Sequence, residues 1–132
     1  MIKEEYKYSE LTGKIIGCAM KVHSELGCGF PEIIYHRAMA IEMNDSNLNF
    51  ENEKLVTVYY KNQEVGKRRV DFLVEKIISV EIKAIKKLED DDLAQAINYL
   101  EAFKLEIGLL INFGAKSLEF RRVINSKLKP SE

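Results

Sequence analysis

Arg69-Val70-Asp71-Phe72-Leu73-Val74 and, three residues further on, Ile78-Ser79-Val80-Glu81-Ile82-Lys83-Ala84 are two apolar runs interrupted by charge at Asp71, Glu81 and Lys83. Runs this short, separated by the polar pair Glu75 and Lys76, read as the two strands of an antiparallel hairpin. Side chains alternate with period two, and this sets the register. With residues 75–77 as the loop, Val74 faces Ile78, Phe72 faces Val80 and Val70 faces Ile82, so one face is uniformly apolar. A two-residue loop would set Asp71 against Val80 and mix the faces. The favoured register places Asp71 across from Glu81 and Arg69 across from Lys83. Two opposed carboxylates are destabilising unless something positive lies between them.

A divalent cation is the simplest such charge. The two carboxylates, the Ile82 backbone carbonyl and water make a hard oxygen set suited to Mg²⁺ or Mn²⁺. Lys83, on the same strand face as Glu81, would then stand beside the metal, where an ammonium orients an attacking water and offsets phosphate charge. The trio fits metal-assisted phosphodiester hydrolysis. The same alternation also describes a half-exposed strand face with Asp71 paired to Arg69, and spacing alone leaves both readings open.

Working outward, Leu11, Ile15, Ala19, Val22 and Leu26 recur at helical spacing and Gly27 supplies a stop, which predicts a helix over 11–26. Pro31 opens a second helix to about Met43, with Ile34, Ala38 and Ile41 as its apolar set and Met39 and Met43 nearby. Strands are predicted over 48–54, 55–60, 68–74 and 77–84, with a turn at Asn62-Gln63-Glu64. Asp90 to Phe103 returns to helical spacing with Leu93, Ala96, Ile97 and Leu100 on one side. Residues 107–113 read as a buried strand and 119–124 as an edge strand. This order of elements is α/β (α+β) with one central mixed sheet flanked by helices. One domain over 1–132 is expected, with short tails at about 1–8 and 126–132.

Composition narrows the function classes. The 132 residues are 46% hydrophobic and 31% charged with only two prolines, which excludes disorder and collagen-like repeats. Twenty basic against twenty-one acidic residues leave a net charge of −1, so no global field draws the chain to nucleic acid or membrane. Nucleic acid would have to be held by local cations, for which Lys67, Arg68, Arg69, Lys86, Lys87, Lys116, Arg121 and Arg122 are available. No window is apolar enough for a membrane span and the N-terminus is charged, so a cytoplasmic protein with no membrane partner is expected. Cys18 and Cys28 are too few for a disulfide framework or zinc knuckle. His23 and His36 match no metal spacing and read as structural or solvated. Glu89-Asp90-Asp91-Asp92 reads as a helix N-cap.

Asp71 followed ten residues on by Glu81-x-Lys83 resembles the signature of the PD-(D/E)XK nuclease superfamily. Gln95-x-x-x-Tyr99, whose side chains share a helix face, resembles the extra motif of its RecB-like branch. Gly29-x-x-Glu32-x-x-Tyr35 is similar to the motif that names the GxxExxY proteins, usually placed in that superfamily. With His23–Gly27, Val80–Ala84 and Leu109–Gly114 as further similar stretches, the resemblance runs from about Leu11 to Phe113. It implies a restriction-endonuclease-like core, Asp71 and Glu81 as metal ligands and Lys83 as the catalytic lysine. It also implies that Glu32 reaches the site as an additional carboxylate. Gln95 would hold water or phosphate, and Tyr99 would support Lys83 or stack on a nucleotide. Tyr35 reads as packing. The chain departs from the pattern at Val70, where a proline often precedes the first acid, and at Asp92, where many relatives carry histidine. Two cysteines are too few for an iron–sulfur cluster.

The expected activity is a Mg²⁺- or Mn²⁺-dependent nuclease, on DNA rather than RNA. The competing readings are a non-catalytic nucleic-acid-binding or assembly module on the same fold and an enzyme silent without a partner protein. An exposed strand carrying Val56, Val58 and Tyr60 offers a surface for a homodimer.

Overall fold

The computed structural model describes residues 8–128. Its elements are α1 (Ser9–Leu26), α2 (Glu32–Asp45), β1 (Phe50–Tyr60), β2 (Gln63–Val74), β3 (Ile78–Lys83), α3 (Asp90–Phe103), β4 (Ile107–Asn112) and β5 (Glu119–Ile124). The five strands form one sheet in the order β1-β2-β3-β4-β5. Every neighbouring pair is antiparallel except β3 and β4, which run parallel because α3 carries the chain back across the sheet between them. This is the mixed sheet with flanking helices that the order of elements predicts.

Alternation along the strands divides the core. Phe72, Val74, Ile78, Val80, Ile82, Leu109 and Ile111 join one apolar cluster with Ile15, Ala19 and Val22 of α1 and Tyr35, Met39 and Met43 of α2. Leu110 and Val123 join Ala96 and Leu100 of α3 and Leu88 in a second. The β2–β3 hairpin takes the predicted register at Val74–Ile78 and Phe72–Val80 across the turn at 75–77, but the pairing stops there, so the expected pairs Asp71–Glu81, Val70–Ile82 and Arg69–Lys83 do not form. α1 ends as expected at Gly27, whose φ of 74° suits glycine and whose N–H is taken by the His23 carbonyl.

Four local expectations are corrected. Residues 50–60 form one strand, not two, because Lys54 and Leu55 both pair in register with β2. β2 begins at Gln63, ahead of the expected Arg68. The turn is the two-residue loop Lys61-Asn62, both residues at positive φ, the geometry that matches the twist of a tight hairpin. α2 buries Tyr35, His36, Met39 and Met43, while Ile41 is 63% exposed. Tyr35, Met39 and Met43 lie four apart on one face, and their longer side chains fill the gap to the sheet. The tails expected at 1–8 and 126–132 lie outside the described residues apart from Tyr8 and residues 126–128. There Asn125 Oδ1 takes the Lys127 N–H (3.1 Å) in a turn.

Candidate active site

The strand ladders are interrupted at Asp71. The β2–β3 pairing ends at Phe72 and Val80, and on the other side Glu53 of β1 takes a left-handed φ of 53° where it would meet Asp71. A non-glycine residue there carries local strain. Asp71 uses the opening: its Oδ2 accepts the Ile82 N–H at 2.7 Å, a bond the β2 backbone would otherwise make. The Lys83 carbonyl is taken by the Phe113 N–H of the chain leaving β4 (2.8 Å), so strand alternation turns the Ile82 carbonyl, like its N–H, toward β2 and Asp71. One carboxylate and one backbone carbonyl thus face the same gap.

Glu81 stands on the strand face opposite the Phe72–Val80–Ile82 core and is 8% exposed, which removes the reading of an open, solvated strand face. Its Oε1 is buried with no hydrogen-bond partner. Burial first, then the negative charge of Asp71, push the Glu81 carboxyl up to about 9, against the pull of Lys83. Asp71 is also raised, mainly by burial, against the opposing pull of the Ile82 N–H, His36, Glu81 and Lys83. Glu32, in the first turn of α2, is raised by burial and by Asp71, with Lys83 and His36 pulling the other way. Carboxyls from α2, β2 and β3 therefore share one electrostatic neighbourhood with Lys83.

Lys83 reaches Asp92 of α3, with Nζ 3.9 Å from Oδ1. The other Asp92 oxygen accepts the Glu89 N–H (2.9 Å) and caps α3, as the acidic run predicts. Asp92, set aside in the sequence as a departure, is thus a neighbour of the lysine. His36 is a second residue that sequence reading passed over. One turn after Glu32, it is buried, its Nε2–H donates to Asn52 Oδ1 (2.6 Å), and its Nδ1 lies 3.6 Å from Asp71 Oδ1. The available signal was the i, i+4 spacing from Glu32. Tyr35 is structural as expected: its hydroxyl donates to the Gly27 carbonyl and accepts the Phe30 N–H, and its ring stacks on Phe113 at 4.8 Å. Its bonds fix the turn that delivers Glu32. His23 is likewise structural, its Nε2–H donating to the Ala115 carbonyl (2.9 Å).

On α3, Tyr99 faces the site and Gln95 does not join it. The Tyr99 hydroxyl is raised by burial and by the charge of Glu81, and the Arg68 guanidinium sits 5.1 Å from its ring centroid. Gln95 is exposed one turn earlier.

Among the described residues no group of three or more His, Cys, Asp or Glu side chains has metal-binding proximity. Two carboxylates, one carbonyl and space for water are nevertheless a set that Mg²⁺ accepts, since it dehydrates reluctantly and commonly binds through one or two carboxylates. The partnerless Glu81 oxygen and the raised pair Asp71 and Glu81 mark where positive charge is missing. Below this site lies the Ile85 loop that continues from Lys83. Asn112 Oδ1 accepts the Ile85 and Gly114 N–H groups, and its Nδ2 donates to the Ile85 carbonyl and Glu119. A Cβ on Gly114 would come within 2.4 Å of the Ile85 backbone, so only glycine fits there.

A family model described as the PD-(D/E)XK nuclease superfamily matches residues 9–123. Members of that superfamily are generally nucleases and typically use divalent metals such as Mg²⁺. No curated protein sequence matches the chain. Among solved structures, the crystal structure of SSO0001 is similar with a TM-score of 0.56 at 19% identity, covering 91% of this chain and 60% of that one. That is a likeness of fold alone, and this chain spans about 60% of the other's length. The match across nearly all of the described sheet and helices means that the chain belongs to the PD-(D/E)XK nuclease superfamily, with its restriction-endonuclease-like fold.

Proposed function

We propose that the protein is a Mg²⁺- or Mn²⁺-dependent nuclease that hydrolyses phosphodiester bonds in DNA. Within its superfamily we group it with the GxxExxY proteins and the RecB-like branch, on Gly29, Glu32 and Tyr35 and on Gln95 and Tyr99. The observation that carries the reading is the buried Glu81 carboxyl, one oxygen partnerless, raised by burial and by the charge of Asp71 with Lys83 as its counter-charge. A charge arrangement this unfavourable persists where function requires it.

In this reading Asp71, Glu81 and the Ile82 carbonyl would hold the cation, and Glu32 would add a ligand or an outer-shell contact. The bound cation supplies Lewis-acid polarisation of the phosphodiester and a more acidic water. Asp71 is kept in orientation by the Ile82 N–H. Glu81 gives up its proton when the site fills. Lys83, held toward the site from Asp92, orients the attacking water and offsets the charge that grows on the phosphate. Tyr99, with Gln95 one turn earlier on α3, orients the reacting phosphate.

Calorimetric titration of Mg²⁺ and Mn²⁺, with and without short DNA, tests this. Wild type should bind a cation with release of about one proton at pH 7, read from the dependence of heat on buffer ionisation. The Asp71→Asn/Glu81→Gln double variant should bind none. Absence of binding by wild type, with DNA present, would end the reading and favour a non-catalytic module.

A further inference from the structure

A cavity of about 480 Å³ lies between the β1–β2 hairpin and α3, within the range of about 300–1,000 Å³ typical of small-ligand sites. It borders the carboxylate site, because Tyr99 belongs to both: it lines the cavity and lies in the field of Glu81 and Asp71. Tyr99 lies about two turns, roughly 10 Å, along α3 from Asp92, whose carboxylate meets Lys83 Nζ, so a group held in the cavity lies on the same side of the sheet as a phosphate held at Lys83.

The lining offers a nucleobase a stacking wall, an aromatic rim and an amide. Arg68, laid over the Tyr99 ring, presents a flat cationic wall on which a base can stack. Tyr59 stands at the rim on β1, 65% exposed, a large aromatic surface left in water. Asn98 offers an amide, donor and acceptor together, to the edge of a ring. Lys104 adds a second cation, while the one acid of the lining, Glu101, has Lys127 Nζ 3.4 Å from its carboxylate. A duplex keeps its bases stacked and paired and cannot send one into this space without unpairing it.

From this lining we infer that the cavity between the β1–β2 hairpin and α3 receives one unpaired base next to the scissile phosphate, so that the protein selects single-stranded or frayed DNA over intact duplex. The inference deepens the nuclease reading, and its test runs without a divalent cation so that the two can fail separately. Fluorescence anisotropy in EDTA would compare a labelled 12-nucleotide strand with the corresponding duplex for wild type, Asn98→Ala and the cavity-filling Ala102→Phe. Wild type should bind the strand at least tenfold tighter than the duplex. Ala102→Phe should lose roughly 5- to 150-fold on the strand, the range set by one lost base stack, with duplex affinity unchanged. Asn98→Ala, at an exposed helical position that tolerates alanine, should lose at least threefold on the strand alone. It keeps the test decisive if the larger residue disturbs folding. Equal affinity of wild type for strand and duplex, or variants that leave strand binding within twofold, would overturn the proposal.

Discussion

Two polar clusters sit at the same level of the sheet, and they are built in opposite ways. Asn112, fully buried and directly opposite Lys83 in the β3–β4 register, has its side chain saturated: two N–H groups on its oxygen, and a carbonyl and a carboxylate on its nitrogen. On the β2 side of Lys83, Asp71 and Glu81 are buried as neighbours of like charge, raised together, with one oxygen left bare. A buried polar group that meets all its partners contributes to the fold, and one that lacks them weakens it by about 1–3 kcal/mol. The contrast separates scaffold from site without reference to any relative: the first cluster shapes the chain around Lys83, and the second stores the tension that a ligand would relieve.

Changing one residue in each cluster is the hardest test of that division. Lys83→Ala should leave the unfolding midpoint near that of wild type and lower metal-dependent DNA cleavage by roughly 10²-fold or more, the scale of a lost electrostatic or acid–base group. Purified Lys83→Ala that still cleaves would erase the distinction at its functional end. Asn112→Ala should show the opposite pattern. Its truncation strands the N–H and C=O of Ile85 and the N–H of Gly114, and urea unfolding should register a loss of about 2–3 kcal/mol. A loss below 0.5 kcal/mol would mean that the network is not what holds the Ile85 loop.

The contrast also explains how much of the molecule was legible in the sequence. The β2–β3 register followed from alternation alone, because only one pairing keeps Phe72, Val74, Ile78 and Val80 on a common face. α1 and α3 were equally plain, each carrying an apolar stripe at helical spacing and a recognisable end. α2 misled because its apolar residues are spread around the helix. The buried face was selected by tertiary packing of Tyr35 and Met39 and by the pull of the Gly27–Phe30 turn on the Tyr35 hydroxyl. In the site, Asp71, Glu81 and Lys83 were visible because charge interrupts apolar strands. His36 and Asp92 were not, since each meets its partner, Asp71 or Lys83, across elements, and the one local signal, the i, i+4 spacing of His36 from Glu32, does not name Asp71. Asn112 looked like one more residue of an apolar strand until its four bonds were seen.

The finest test of the comparison is a substitution that should stabilise. Glu81 titrates near 4.5 when exposed and near 9 in the folded chain. A carboxyl whose folded value is raised contributes stability that is fully present below the unfolded value and lost as pH rises through the folded one. The cation-free protein should therefore weaken between about pH 4.5 and 9, with Asp71 and Glu32, also raised, acting in the same direction. Glu81→Gln keeps the shape and removes the ionisation. In EDTA the variant should match wild type near pH 4.5 and exceed it at pH 8 by up to about 1.4 kcal/mol for each pH unit between, measured by urea unfolding. Adding Mg²⁺ at pH 8 should reverse the order, because only wild type gains stability by binding it. A variant less stable than wild type in EDTA at pH 8 would mean that Glu81 belongs with Asn112, as part of the scaffold.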